Sequence, residues 1–157
     1  MRRKDREVTD RGEVMGIIRR CQVCRLGLCD RGTPYVVPMN FGVEQEDGQV
    51  VVYLHSAKTG RKLDILRENP AVCLEFDGGH RLLTGDVACA HSFAYESVIG
   101  FGRAEILDSY QEKAAGLAAI LRHLAGKAFT FTPEQAAHVA VLRVRLDTVS
   151  GKRRAVG

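Results

Sequence analysis

Residues 33–55 read TPYVVPMNFGVEQEDGQVVVYLH, and this stretch decides the fold. It predicts two antiparallel strands, at 33–43 and 49–55, because both segments are rich in valine and the Asp47-Gly48 pair between them is typical of a hairpin turn. Pro34 and Pro38 cannot donate hydrogen bonds to a neighbouring strand. The first strand is therefore expected to lie at a sheet edge, or to be interrupted where another molecule approaches it.

The rest of the chain predicts more strands than helices. Strands are expected at 21–29, 71–76, 80–85, 96–107 and 139–147, with a turn at 30–32 and helices that begin near positions 10, 59, 109 and 132. In the last strand, the alternation of polarity predicts that Val141, Arg143 and Arg145 face outward. Helices do not alternate with strands as an α/β sheet requires. The chain is therefore predicted to be mainly β, a small antiparallel barrel of about six strands with peripheral α-helices.

Length and composition limit the class of protein. The 157 residues, 45% hydrophobic and 27% charged, predict a single globular domain over 1–157. No apolar run is long enough to span a bilayer and no signal peptide is evident, and the odd number of cysteines, five, suits a reducing compartment. We therefore expect a cytoplasmic protein. A net charge of +4 is too mild to indicate nucleic-acid or membrane binding, so neither partner is expected.

The stretch HSAKTGRK at 55–62 lies where a strand is expected to end and a helix to begin. A helix N-terminus carries partial positive charge and favours acidic side chains, yet Lys58, Arg61 and Lys62 occupy this position. A bound phosphate would make the arrangement favourable, because the free N–H groups, the hydroxyls of Ser56 and Thr59 and the three cations would all bind it. The alternative is a basic turn exposed to solvent, and this segment alone does not separate the two.

Other candidate sites are weaker. No segment has the spacing of a P-loop or the three glycines of a dinucleotide-binding turn. Cys21 and Cys24 lie three residues apart in a predicted strand and so face opposite sides, which favours buried thiols over metal ligands. His80, Cys89 and His91 lie in or near the irregular segment 86–95, where a histidine would be a candidate heme ligand. We expect no metal site, and heme binding is the less favoured alternative.

Several short motifs, taken in order, resemble one known family. They are VCRLG at 23–27, PYVVPMNFG at 34–42, LHS at 54–56 with GRK at 60–62, YESVIG at 95–100 and TVSGK at 148–152. The series is similar to the pyridoxamine 5′-phosphate oxidase-like flavoproteins, in particular their nitroimidazole-resistance (Nim-type) branch, from about residue 9 to residue 152. The resemblance implies a six-stranded antiparallel split β-barrel of the FMN-binding type, with the flavin at a homodimer interface.

The resemblance also assigns residues to the cofactor. Backbone contacts to the flavin ring and ribityl chain fall on six successive residues: Tyr35, Val36, Val37, Pro38, Met39 and Asn40. His55 and Ser56 follow the next strand. The phosphate falls on Arg61 and Lys62, in agreement with the charge argument, with Lys58 and Thr59 in the same loop.

Two further positions come from YESVIG. Ser97 and Val98 fall in the segment where the oxidases carry a glutamine that reaches the flavin from the other subunit. Ser97 replaces that glutamine, and a serine hydroxyl is shorter than a glutamine amide.

The resemblance implies a flavin-dependent oxidoreductase that reduces a small electron-poor acceptor such as a 5-nitroimidazole. His55 is the candidate catalytic residue, since a histidine beside the flavin can donate a proton to the acceptor. Its alternative role is a strand-end histidine bonded to a backbone carbonyl. The C-terminus, KRRAVG, lacks the Arg-x-His type motif with which the oxidases bind their substrate phosphate, so pyridoxamine-phosphate oxidation is not expected. A flavin-binding redox sensor without turnover is the other hypothesis.

Overall fold

A computed structural model describes residues 3–155. In chain order the elements are β1 (Glu7–Val8), α1 (Arg11–Arg20), β2 (Val23–Asp30), β3 (Thr33–Glu46), β4 (Gln49–Ser56), α2 (Arg61–Glu68), β5 (Ala71–Leu83), β6 (Ser92–Ile106), α3 (Tyr110–Ala125), α4 (Pro133–Ala137) and β7 (Ala140–Arg154). Short 3-10 turns lie at Lys4–Arg6 and Ala88–Ala90. No helix in this part of the chain has the length and apolar character needed to cross a membrane.

Six strands close into a ring. Their order is β7-β4-β3-β2-β5-β6, every pairing is antiparallel, and β6 pairs back with β7. The short β1 adds to the other side of β7. The predicted six-stranded antiparallel barrel with peripheral helices is therefore confirmed.

The interior of the barrel is filled by alternate side chains of each strand. Cys24, Leu26 and Leu28 of β2 are buried together, as their alternation predicts. At the barrel's centre Phe41 and Phe76 pack edge to face, with ring centroids 4.9 Å apart. Helices α1 and α2 contribute their apolar stripes to the same core, so the interior of the barrel is filled by packed side chains.

Helix α3 covers one outer surface of the barrel, which we call the α3 face. There Val51, Tyr53 and Val141 lie beneath α3 in a second apolar cluster. Val141 does point away from the barrel interior, as predicted, but it is buried and not exposed. The strand alternation predicts which side a residue takes, and the helix that covers that side is a tertiary feature.

The opposite outer surface, formed by β2, β5 and β6, is called the open face. Ile99 and Phe101 of β6 point outward here and are 40% and 56% exposed. They lie in register with Glu75 and Cys73 of β5. This face is a sheet surface on which large apolar side chains remain in contact with water.

Several strands differ from their predicted bounds, and the two strands expected at 71–76 and 80–85 form one strand, β5. β5 continues through the expected turn at 77–79 by means of an irregularity between Gly78 and Arg81. β6 begins at Ser92, which pairs with Leu83 of β5, and β7 ends at Arg154, which pairs with Tyr95 of β6. The pairing partner stabilises segments whose own sequences do not alternate.

Candidate functional site

The first half of β3 has a single strand neighbour. Residues 33–40 pair with β2, whereas β4 pairs with β3 only from Phe41 onward. One backbone edge of β3 at 33–40 is therefore free of a strand, as the two prolines predict. Outward-facing Val36, Pro38 and Asn40 are exposed, and the Asn40 amide donates to the Gln22 carbonyl at 3.0 Å.

The other side chains of this segment point toward the barrel. Met39 is buried, and Tyr35 and Val37 pack at the edge of the core. The six residues expected along the flavin thus present three outward side chains and one accessible backbone edge. Backbone groups at such an edge can hydrogen-bond a flat polar ring without competition from a sheet partner.

His55 and Ser56 end β4, at the point where its pairing with β7 also ends. The His55 side chain is exposed. The Ser56 hydroxyl donates to the Ala57 carbonyl at 2.9 Å. The loop that follows carries Lys58 and Thr59, both exposed, so the predicted loop groups all lie at one barrel end.

Helix α2 begins two residues later than predicted, at Arg61. No side chain caps its start, whereas Asp10, Ser109 and Thr132 cap the other three α-helices. Gly60 precedes the helix with φ 134°, a conformation that favours glycine. The uncapped first turn leaves backbone N–H groups beside Arg61 and Lys62, and this donor set suits an anionic oxygen ligand.

Arg61 is held by two groups. Its guanidinium lies over the Tyr35 ring, 4.5 Å from the centroid. Its Nε and Nη2 atoms donate to one Asp30 carboxylate oxygen at 3.2 and 3.0 Å. From the sequence, Asp30 is expected only to begin a turn. An acidic residue at a strand end is a common turn signal, and no local pattern points to a contact with Arg61, 31 residues further on.

Ser97 and Val98 lie elsewhere on the barrel. Ser97 pairs with Lys152 near one end of β7, while His55 pairs with Val141 near the other. Extended chain covers about 3.3 Å per residue, so roughly 35 Å of β7 separates the two positions. Within one chain Ser97 is therefore remote from His55 and from the loop that follows β4. The Val98 side chain is fully buried inside the barrel, which leaves only its backbone for a ligand.

The cysteines and the remaining histidines do not form a shared site. Cys21 and Cys24 are buried as expected, and burial raises the pKa of Cys21 to about 11 and that of Cys24 to about 12. His80 pairs with Asp77 at 2.8 Å, and the His91 ring bonds the Val87 carbonyl at 3.2 Å. Among residues 3–155 no group of three or more metal-ligating side chains converges.

The residues of the α2 start fit a phosphate monoester. Two cations, Arg61 and Lys62, stand at unpaired helix N–H groups, with Lys58 and the Thr59 hydroxyl in the adjoining loop. The Asp30 contact occupies only one edge of the guanidinium, so the Nη1–Nη2 edge remains available for paired hydrogen bonds to phosphate oxygens.

The chain matches one protein-family model and several solved structures. A family model described as pyridoxamine 5′-phosphate oxidase matches residues 10–153. No curated protein matches the chain. Among solved structures, a "putative 5-nitroimidazole antibiotic resistance protein" from Bacteroides thetaiotaomicron is 34% identical, with a TM-score of 0.82 over 94% of this chain and 86% of that chain.

Two structures of lower identity share the fold. One is an FAD and heme binding protein from Mycobacterium smegmatis, 18% identical with a TM-score of 0.81, covering 96% of this chain and 74% of that chain. The other is a flavocytochrome from Azotobacter vinelandii, 23% identical with a TM-score of 0.80, covering 99% and 72%. From the match to the family model over nearly its whole length, the chain belongs to the pyridoxamine 5′-phosphate oxidase-like family of split β-barrels.

Proposed function

We propose that this protein binds FMN, with the FMN phosphate at the start of α2. The observation that carries the proposal is the donor set there, an uncapped helix start with Arg61 and Lys62 in its first turn. A phosphate dianion satisfies the free N–H groups and neutralises the two cations, which otherwise oppose the helix dipole. The family match supports a flavin as the molecule that carries this phosphate.

The flavin ring and ribityl chain are placed along the free edge of β3, at 35–40. This edge offers N–H and C=O groups that no strand uses, and Val36 and Pro38 supply an apolar surface beside it. His55 and Ser56 lie at the end of β4, next to the loop that leads to α2. Bound flavin supplies electron transfer, and the chain binds and orients it.

We further propose that the electron acceptor is a small electron-poor molecule such as a 5-nitroimidazole. The support is the 34% identical relative from Bacteroides, whose name refers to 5-nitroimidazole antibiotic resistance. The exposed His55 imidazole is placed to donate a proton to the acceptor as it is reduced. These assignments make the protein a flavin-dependent oxidoreductase.

Pyridoxamine-phosphate oxidation does not fit the C-terminal residues. Arg153 donates to Glu13 at 3.0 Å and to Glu96 at 3.3 Å. Its guanidinium thus serves to join β7 to α1 and β6. Because Arg153 is engaged in this way, we do not propose it as a second phosphate-binding group for such a substrate.

The protein is proposed to act as a homodimer, formed through the open face. Ile99 and Phe101 expose apolar surface there, and a partner that covered them would gain the free energy of removing that surface from water. Val36 and Pro38 of the neighbouring strand β3 extend this outer surface toward the strand edge proposed for the flavin. A second copy would also bring Ser97, on the open face of β6, toward the flavin of the first.

The phosphate assignment is tested by the double variant Arg61→Ala/Lys62→Ala. Two charge-assisted contacts are lost, so FMN affinity should fall about 100-fold, while riboflavin, which has no phosphate, should bind as tightly as to the wild type. Flavin fluorescence titration measures both. Arg67→Ala is the matched control, because Arg67 lies at the other end of α2 and pairs with Asp64. Unchanged FMN affinity in the double variant contradicts the assignment.

The acceptor assignment is tested by mixing the reduced, flavin-loaded protein with a 5-nitroimidazole in the absence of oxygen. Reoxidation of the flavin absorbance with loss of the nitro absorbance is expected. His55→Gln, which retains hydrogen bonding but is not a proton donor of comparable acidity, should slow this reaction when the variant is saturated with FMN. If the acceptor is not consumed by the wild type, the protein is a flavin-binding module without this activity.

A further inference from the structure

We infer that Asp30 and Tyr35 are positioning residues that hold the Arg61 guanidinium so that its Nη1–Nη2 edge faces the phosphate of the cofactor. The inference rests on the proposed function, because it concerns how the same phosphate is bound. Neither residue is assigned to the phosphate by the family resemblance, which places only the backbone of Tyr35 near the flavin.

The geometry fixes the guanidinium in two directions. Asp30 accepts from Nε at 3.2 Å and from Nη2 at 3.0 Å, which fixes the rotation of the group within its own plane. The guanidinium carbon lies over the Tyr35 ring, 4.5 Å from its centroid, so the ring restricts movement of the group on that side. Tyr35 is in turn packed against the barrel core. Two independent contacts therefore define one orientation for a side chain that is otherwise more than half exposed.

The contact with Asp30 uses one edge of the guanidinium and leaves a second edge available for a ligand. Guanidinium presents paired N–H groups along the Nε–Nη2 edge and along the Nη1–Nη2 edge. The carboxylate occupies the first, so a phosphate can take two parallel hydrogen bonds from the second. Asp30 and the phosphate would then lie on different edges of the same cation, and neither would displace the other.

Two effects of Asp30 oppose each other. Ordering a free arginine costs binding free energy, and a side chain that is already held avoids this cost. The negative charge of Asp30 repels the phosphate, but the two anions are separated by the guanidinium and the repulsion is screened by salt. We expect the ordering effect to dominate at physiological ionic strength.

Asp30→Ala should therefore weaken FMN binding by about 3- to 10-fold, although it removes a negative charge from the site. Asp30→Asn keeps an oxygen that accepts from Nε and should bind FMN within about twofold of the wild type. Glu68→Ala is the matched control. Glu68 lines the same cleft of about 230 Å³ as Asp30 and Arg61 but bonds Arg31, so its removal changes the local charge without releasing Arg61.

Asp30→Ala and its control Glu68→Ala should change FMN affinity in different ways. Removing Glu68 should leave FMN affinity unchanged or raise it slightly, because one repulsive charge is lost. Tighter FMN binding in Asp30→Ala, like that in Glu68→Ala, means that Asp30 competes with the phosphate and overturns the inference. Equal loss of riboflavin and FMN binding in Asp30→Ala means that the variant disturbs the fold of the site and also overturns it.

A double-variant cycle checks that Asp30 acts through Arg61. In an Arg61→Ala background, Asp30→Ala should no longer weaken FMN binding, and it should leave the affinity unchanged or raise it slightly, since there is no guanidinium left to position and one repulsive charge is lost. The same loss in both backgrounds contradicts the inference. Wild-type protein that does not bind FMN overturns the proposed function as well, whereas wild-type binding with an unchanged Asp30→Ala variant overturns only the role of Asp30.

Discussion

The α3 face and the open face are two outer surfaces of one barrel that differ in what covers them. On the α3 face, Val51, Tyr53 and Val141 are each at most 5% exposed, because α3 packs over them. On the open face, Ile99 and Phe101 occupy comparable outward positions and remain 40% and 56% exposed. Both surfaces carry apolar residues, and only one of them is covered within the described part of the chain.

The difference shows that the chain covers the α3 face with its own helix, whereas the open face is suited to contact with a second molecule. Large exposed apolar side chains on a sheet surface cost solvation free energy, and contiguous patches of them commonly mark interaction sites. The outward side chains Val36 and Pro38 of β3 continue the open face, because they are in register with Gly27 and Arg25 of β2. The proposed flavin site and the proposed dimer interface are therefore parts of one surface.

The largest effect expected from this comparison is at Gly42. A β-carbon there would lie 2.5 Å from the backbone of Ala119 in α3, so Gly42→Ala must push the helix away from the barrel. We expect a loss of about 2–4 kcal/mol in the free energy of unfolding, measured with denaturant.

Gly27, on the open face, provides the matched control. A β-carbon at Gly27 would lie 3.2 Å from the Cys73 carbonyl oxygen, a contact that a small strand adjustment relieves. Gly27→Ala should cost less than about 1 kcal/mol. If the two variants lose similar amounts of unfolding free energy, the α3 face is not packed more tightly than the open face, and the contrast between the two surfaces is wrong.

A smaller but more specific effect is expected at Phe101. Phe101→Glu places a charge in the proposed interface, so the dimer should dissociate with a Kd raised at least about 30-fold, measured by sedimentation velocity. The free energy of unfolding of the monomer should change by less than about 0.5 kcal/mol, since the side chain is exposed in the monomer. FMN affinity should fall together with dimerisation.

Phe129 is the control that separates the effect of replacing any exposed phenylalanine from the effect of replacing one in the proposed interface. It is 43% exposed, close to Phe101, but lies in the segment after α3 and away from the open face. Phe129→Glu should leave the oligomeric state unchanged. A wild-type monomer, or a dimer that both variants retain, would exclude the open face as the interface.

Much of the fold follows from local sequence. The alternation in β7, the Asp47-Gly48 turn and the capping residues Asp10 and Ser109 predict elements that the structure contains. These signals are local because strand alternation, turns and caps depend on residues within a few positions of one another. The extent of β5, β6 and β7 was not predictable in this way, since their outer segments are held by strands distant in sequence.

The residues of the candidate site also differ in whether local sequence can identify them. The basic residues Arg61 and Lys62 at a helix start could be identified from charge and position alone. Asp30 could not, because its role depends on the β2–β3 turn lying beside α2. The burial of Val141 likewise depends on α3 and not on the strand that contains it. Whether an outward residue is exposed or covered is decided by tertiary packing.

The smallest effect expected concerns Glu75, the carboxylate beside Ile99 on the open face. Burial, and then the charge of Asp77, raises the pKa of Glu75, while Arg25 and His80 act in the opposite direction. The folded state therefore binds this proton more tightly than the unfolded state, and the contribution of Glu75 to stability falls as pH rises from the unfolded value of about 4.3 through the folded one. Glutamine does not ionise, so the Glu75→Gln variant avoids this loss of stability. It should be slightly more stable than the wild type at neutral pH.

Substitution of Glu96 should change stability in the opposite direction to substitution of Glu75. The hydrogen bonds from Arg20, at 2.7 and 2.8 Å, lower the pKa of Glu96, so its stabilising contribution is present above the unfolded value and is lost as pH falls through the folded one. Glu96→Gln should be less stable than the wild type at neutral pH. Both differences should stay below about 1 kcal/mol and disappear near pH 3 in thermal unfolding. If both variants shift stability in the same direction, the open face does not desolvate Glu75, and its surface is more hydrated than the exposed apolar residues indicate.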